Sequence, residues 1–285
     1  MIDFLKYRYL NVGLSTLFLI IAGVAWYKNG INYSVDFEGG TQIIFSFSQN
    51  TSSEAVKNIL AEKGWPHVIT REFSSNEILV RVKEFNADVQ GEAEKLRAAL
   101  EVGLPGSTVT IKGIDSVGPA AGSNLRSKAL YAFLIGLLLM LLYVAVRFEF
   151  AFAVGAVLSL FHDALTIIGA FILMGKEISP NVIVAVLTIL GYSINDTIVI
   201  FTRIRENLAK MNGSLYHIVN TSINQTLTRT ILTSFSTSLT VLAFLFIGGE
   251  SLHDLALALL IGIVVGTYSS IYIASPIMML LHKGK

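Results

Sequence analysis

The sequence predicts an all-α membrane bundle of six transmembrane helices that carries a small α+β domain between its first and second helices. Three observations predict it. The 285 residues are 53% hydrophobic and 14% charged, against roughly 25% charged in soluble domains. Six apolar runs reach the about 20 residues needed to cross a bilayer. Between the first two runs, residues 28–126 turn polar and alternate strand-like and helix-like patterns. The net charge of +1 offers nothing to nucleic acid. With no cysteine, disulfides and thiolate metal sites are excluded, and the five histidines show no ligand spacing, so no metal is expected.

The first run, Leu10 to Trp26, follows Lys6 and Arg8. Ala22 and Ala25 would suit signal-peptide cleavage. Further spans follow, however, and Trp26-Tyr27 resembles an interfacial anchor, which favours an uncleaved helix. In the polar domain, Gln42 to Phe47 alternates with period two, with Ile43, Phe45 and Phe47 on one face. Thr51 and Glu54 have capping-box spacing for a helix that runs to about Lys63 and stops at Gly64. Strands are expected at His67–Phe73 and Glu77–Lys83, joined by Ser74-Ser75-Asn76. A helix follows over Ala87–Val102, and a last strand over Ser107–Ile114. The β-α-β-β-α-β order predicts a ferredoxin-like domain. It holds no catalytic constellation, and the chain is not expected to be an enzyme.

After Gly118-Pro119 the chain returns to the membrane. Spans two to six are expected at Ala129–Val146, Ala151–Met174, Val182–Phe201, Thr226–Ile247 and Leu255–Leu281, with Arg203–Gln225 as a polar, cationic stretch. Lys6, Arg8, Arg147, Arg203, Arg205, Lys210, Lys283 and Lys285 then fall on one side. By the positive-inside rule that side is the cytoplasm, which holds both termini and leaves residues 28–126 extracytoplasmic. The domains are therefore 1–27, 28–126 and 127–285.

The spans contain ionisable groups, which are costly in hydrocarbon and functional by default. Asp163, beside His162, lies near the middle of span three. Asp196 lies in Leu190-Gly191-Tyr192-Ser193-Ile194-Asn195-Asp196-Thr197 of span four. Arg229 enters span five, and antiparallel packing brings it to the depth of Asp196. A neighbouring cation favours the charged carboxylate and burial the neutral acid, so the group could load and release a proton. A fixed pair neutralising two buried charges is the alternative. Thr226, Thr230, Thr233, Thr237 and Thr240 recur on one helical face, either wetting a crevice or packing a helix. Gly262 and Gly266 form a G-x-x-x-G that points to helix packing.

Seven segments in order carry a resemblance over essentially the whole chain: Val35-Asp36-Phe37-Glu38-Gly39-Gly40-Thr41, Val117-Gly118-Pro119, Arg147-Phe148-Glu149, His162-Asp163, Gly191 to Thr197, Arg203-Ile204-Arg205-Glu206-Asn207 and Gln225 to Thr230. They resemble the SecD/SecF family of bacterial protein export. Two positions depart from it: Thr202 stands where many members have Asp, and Ser34 where a Gly often precedes the motif. The resemblance implies half of a resistance-nodulation-division (RND) transporter fold in the inner membrane, completed to twelve spans by SecD. Ending at Lys285 suggests that SecD is a separate chain. The implied partners are the SecY-SecE-SecG channel, the translocating polypeptide, YajC and YidC. The implied activity is use of the proton-motive force, or of Na⁺ in its place, to complete translocation after the ATP-driven steps, without a cofactor. Asp196 would be the proton-responsive carboxylate, Arg229 its partner, and Asp163 and Asn195 further members of the relay. His162, Tyr192, Ser193, Thr197 and the span-five threonines would support it.

Three other readings are weighed. An RND-type exporter of small molecules or lipids shares the fold. An intramembrane aspartyl protease would use Asp163 and Asp196, but its Y-D and G-x-G-D signatures are absent and Arg229 disfavours a shared proton. A translocon scaffold would use no proton at all.

Overall fold

The computed structural model describes residues 1–74, 76–82, 86 and 88–282. Among them, six helices are long and apolar enough to cross a bilayer. By contacts the chain divides into two units, residues 1–32 with 131–285, and residues 33–130.

In the second unit, a short helix α2 (Val35–Glu38) leads into β1 (Gly40–Phe47), α3 (Ser53–Glu62), β2 (Ile69–Ser74), β3 (Glu77–Val82), α4 (Val89–Gly103) and β4 (Val109–Val117). The sheet order is β2-β3-β1-β4, with every neighbouring pair antiparallel. Strands β1 and β2 therefore run parallel with β3 between them. The alternation in β1 places Ile43, Phe45 and Phe47 on the buried face. They pack with Ile78, Val80 and Val82 of β3 against Val56 and Leu60 of α3 and Leu96 and Leu100 of α4.

Several boundaries differ from expectation. The N-cap of α3 is Ser52, whose Oγ accepts from Ala55 N, while Thr51 Oγ1 donates to the Gln49 carbonyl. Adjacent Thr and Ser both qualify as caps, and the turn decides between them. Helix α4 is capped by Asp88, which accepts from Gly91 N. The last strand begins and ends later than expected, and its final residues pair with Gly40 and Thr41. Ser75 of the expected turn, Lys83 at the end of the expected third strand, Ala87 at the start of the expected helix, and Lys283 and Lys285 lie outside the described residues.

The first unit is built from α1 (Arg8–Asn29), the larger part of α5 (Pro119–Arg147), α6 (Phe150–Leu173), α7 (Pro180–Lys210), α8 (Leu215–Ile247), α9 (Glu250–Ser269) and α10 (Ser275–Leu281). The helices outrun the apolar stretches. The expected polar connector 203–225 is mostly helix: α7 continues to Lys210 and α8 starts at Leu215. Ser179 and Ser214 cap these two helices by accepting from Val182 N and His217 N. The sixth span is continuous over Leu252–Leu281, but a π turn over Ser270–Ala274 joins α9 to α10 and changes its pitch. Such turns leave backbone groups to be satisfied by side chains, and Ser275 Oγ donates to the Ser270 carbonyl at 2.9 Å.

Helices α6 and α7 and the last span form the buried centre of the bundle, whereas α1, α5 and α8 remain largely exposed. The G-x-x-x-G expectation holds. A Cβ at Gly262 would lie 2.5 Å from the Ile189 side chain, and one at Gly266 would lie 2.8 Å from Ser193 Cβ. The two glycines let α9 approach α7 closely.

Candidate functional site

Three elements meet at Asp163. Its side chain is fully buried. Oδ1 lies 3.1 Å from His162 Nδ1, and Oδ2 accepts from Ser193 Oγ of α7 and from Ser269 Oγ of α9, the latter at 2.9 Å. Ser159 and Ser269 hydroxyls approach at 3.3 Å. One turn along, Thr197 Oγ1 and Ser270 Oγ are 2.9 Å apart. A carboxylate accepts on both oxygens, and this one has a polar partner at each. The cost of burying it is offset by those charge-assisted bonds.

Asp196, one turn beyond Ser193 on α7, is treated differently. It is 3% exposed, yet its Oδ2 is buried without a hydrogen-bond partner. The positive charge of Arg229 and the hydroxyl of Ser234, both on α8, act on it. Ser234 Oγ in turn lies 2.7 Å from Thr267 Oγ1 and 3.4 Å from Tyr192 Oη.

Among the described residues no ion pair within 4.0 Å joins Asp196 to Arg229, whose charge acts on the carboxylate from farther off. The reason lies in helix phase. Thr226 and Thr230 point into the bundle and are buried, while Arg229 sits on the flank of that stripe and is exposed. It lines a groove of about 320 Å³ between α7 and α8, with Ile198, Val199, Thr202, Arg203, Glu206, Gln225 and Thr226.

The remaining expected residues separate into groups. His162 and Ser193 meet Asp163, and Thr197 meets Ser270, the residue after the Asp163 partner Ser269. Asn195 is exposed on the opposite face of α7. The threonine stripe mostly bonds to its own helix: Thr226, Thr233, Thr237 and Thr240 each donate to the carbonyl four residues back. Thr230 Oγ1 is buried without a partner.

The Asp36 to Thr41 segment belongs to the other unit. Ser34 Oγ donates to Asp36 at 3.0 Å, and Ser34 has φ −68°. A glycine is therefore not required there. Gly39 and Gly40 are required: their φ values of 81° and 123° suit only glycine, and a Cβ on Gly39 would lie 2.8 Å from Pro119 Cα. Phe37 is buried, and Thr41 Oγ1 approaches Ser116 Oγ at 3.2 Å.

Sequence reasoning missed Ser159, Ser269 and Ser270. Their one signal is hydroxyls in otherwise apolar spans. It also missed a clasp on the amino terminus. Asn220 Nδ2 and Asn224 Nδ2 donate to the Ile2 carbonyl, and their Oδ1 atoms accept from Phe4 N and Ile2 N.

Comparison with known proteins agrees with this architecture. The family model described as "Protein export membrane protein SecD/SecF, C-terminal" matches residues 103–284, and the SecD/SecF GG motif matches residues 24–51. The protein translocase subunit SecF of Thermodesulfovibrio yellowstonii is 39% identical, covering 99% of this chain and 95% of its own. The protein translocase subunit SecDF of Thermus thermophilus is 43% identical over 95% of this chain, which spans 37% of it. The crystal structure of SecDF, a translocon-associated membrane protein from Thermus thermophilus, superposes with a TM-score of 0.87 at 40% identity, over 98% of this chain and 38% of that one. Six apolar helices, a GG motif and a family model matched over more than half of the sequence place this multi-pass membrane chain in the SecD/SecF family of protein-export membrane proteins.

Proposed function

We propose that the chain serves protein export as the proton-responsive half of a SecD/SecF assembly, with Asp196 as the group that takes up and releases the proton. The observation that carries this is a buried carboxylate whose Oδ2 has no partner, while Asp163, on α6 of the same bundle, has a partner at each oxygen. An isolated charge in a low-dielectric interior is costly, so the Asp196 environment must change with its charge state. When the acid is neutral, it tolerates the arrangement seen here. When it ionises, Arg229 swings from the α7–α8 groove to meet it, and the two helices repack. One proton moving through about 100 mV supplies roughly 2.3 kcal/mol, enough to bias a two-state element with a gap of a few kcal/mol.

In this reading both termini are cytoplasmic and residues 28–126 form the extracytoplasmic ferredoxin-like part that shifts as the helices repack. The partners are a SecD half, for which the fused Thermus thermophilus SecDF is the precedent, and the SecY-SecE-SecG channel carrying the polypeptide. The largely exposed faces of α5 and α8 supply apolar surface for the SecD half. YajC and YidC would join the same assembly. Na⁺ could replace the proton without changing the role of the carboxylate.

The test is pulse-chase export of a secreted precursor in cells whose sole copy carries Asp196→Asn, with membrane level measured alongside. Asn keeps the shape and cannot titrate. The reading expects normal protein level with accumulating precursor, and Asp196→Glu retaining part of the activity. Normal export by the Asn variant would make Asp196 structural and favour the scaffold reading.

A further inference from the structure

The Asp36–Thr41 motif has no part in the proton chemistry, and its surroundings give it a task of its own. Helix α5 is one helix from Pro119 to Arg147, yet residues 119–130 belong to the second unit and the rest to the first. Successive turns of its amino-terminal part meet the α2 segment. A Cβ on Gly39 would lie 2.8 Å from Pro119 Cα, and one on Gly122 would lie 3.0 Å from Gly39 N and 3.1 Å from the Phe37 carbonyl oxygen. One turn further, the Arg126 guanidinium stands 4.8 Å over the Tyr33 ring, which meets Phe37 edge-on at 6.1 Å. Positions 119, 122 and 126 have i, i+3, i+7 spacing and so share one face of α5.

The α2 segment is itself fastened to the sheet. Arg81 of β3 is 2% exposed and donates to the Tyr33 carbonyl at 2.7 Å and to Glu38 Oε2 at 3.0 Å. Gly40 and Thr41 pair with Val117 and Ser116 of β4, and Gly118 alone separates β4 from α5. Gly122 is the single buried residue of 119–128, and neither it nor Gly39 belongs to the apolar core of the domain. The contact therefore adds little by burial of apolar surface. Two facing glycines bring backbone against backbone, with no side chain that can change rotamer and let the elements slip. The connection on the α1 side differs: residues 30–34 are not helical and start at Gly30, with φ 72°. Hinges are built from a few such residues at the ends of elements.

We propose that Gly39 and Gly122 lock α5 to the α/β domain, so that the two move as one body and α5 is the lever through which the bundle moves that domain. Arg126 and Tyr33 extend the lock by a turn, and Arg81 carries it into the sheet. Residues 30–34 are the joint on the α1 side. Use of the lever in export rests on the proton-driven reading above; the lock itself does not.

The test is pulsed electron–electron distance measurement on the full-length protein in lipid nanodiscs. The chain has no cysteine, so introduced pairs carry spin labels at the chosen sites alone. Lys57→Cys with Lys128→Cys reports α3 against the amino-terminal part of α5. Lys57→Cys with Tyr27→Cys reports α3 against the end of α1. All three side chains are exposed. In the parent the first pair is expected to give one narrow distance distribution, and the second a distribution at least about twice as wide. Gly122→Val is expected to widen the first to about the width of the second, because its methyl groups push α2 away from α5. Hydrogen exchange along β3 checks that the domain is folded. Should Gly122→Val not fold, Tyr33→Ala removes the ring under Arg126, keeps both glycines and is expected to widen the first distribution as well. Equal widths for the two pairs in the parent would overturn the proposal. So would a first distribution that stays narrow in the folded variant. Neither measurement involves Asp196 or export, so failure of the lock and failure of the proton-driven reading are told apart.

Discussion

Ser193 donates from α7 to the Asp163 carboxylate of α6, and the same serine packs against Gly266 of α9. One side chain thus ties three helices at the buried centre of the bundle. Ser193→Ala should remove a bond to a charged acceptor and destabilise the bundle by about 1.5–3 kcal/mol. Asp163→Ala should cost more, because it strands the donors of His162, Ser193 and Ser269 together. Unfolding of the purified protein in lipid nanodiscs measures both, and a Ser193→Ala protein as stable as the parent would contradict the tie.

The close approach of α9 to α7 predicts an asymmetry among glycines. Gly262→Val places methyl groups where Ile189 already stands, and should destabilise by about 1–3 kcal/mol. Gly191→Ala faces open space on α7 and should be tolerated. Comparing the two by the same unfolding measurement separates packing from helix propensity.

In the other unit, Gly39→Ala should cost about 1–3 kcal/mol through its backbone conformation alone, with the clash at Pro119 added. Faster hydrogen exchange along β1 and β4 is the expected signature. Unchanged exchange would show that the segment relaxes around the new side chain.

The amino-terminal clasp is also open to test. Asn220→Ala with Asn224→Ala removes the groups that bond the Ile2 and Phe4 backbone. Residues 1–5 should then become sensitive to protease in otherwise intact membranes, because termini stay ordered only when tied down.

These contacts show what the sequence could and could not convey. The period-two pattern of Ile43, Phe45 and Phe47 is a local signal, and it predicts the buried face of β1. Span length and the spacing of Gly262 and Gly266 are equally local. The ends of α7 and α8 were not legible, since Arg203–Lys210 and Leu215–Gln225 are amphipathic, and hydropathy alone cannot distinguish such helix from loop. Thr51 and Ser52 offer equivalent caps, and only the turn selects Ser52. The serine partners of Asp163 lie 30 and 106 residues away in sequence, and serine in a membrane helix more often marks packing than a ligand. The π turn at Ser270–Ala274 has no sequence rule of its own. Helix phase decides that Arg229 flanks the stripe instead of facing Asp196, and the apolar run around it, by itself, does not show that phase.

The most direct test of the central claim uses inverted membrane vesicles that hold a half-translocated precursor. ATP is removed, a proton gradient is imposed or withheld, and completion of translocation is followed with the parent protein and with Asp196→Asn at equal membrane level. The account predicts that the gradient speeds completion with the parent and has no effect with the variant. Equal acceleration in both would contradict it, and would place the proton-responsive group elsewhere.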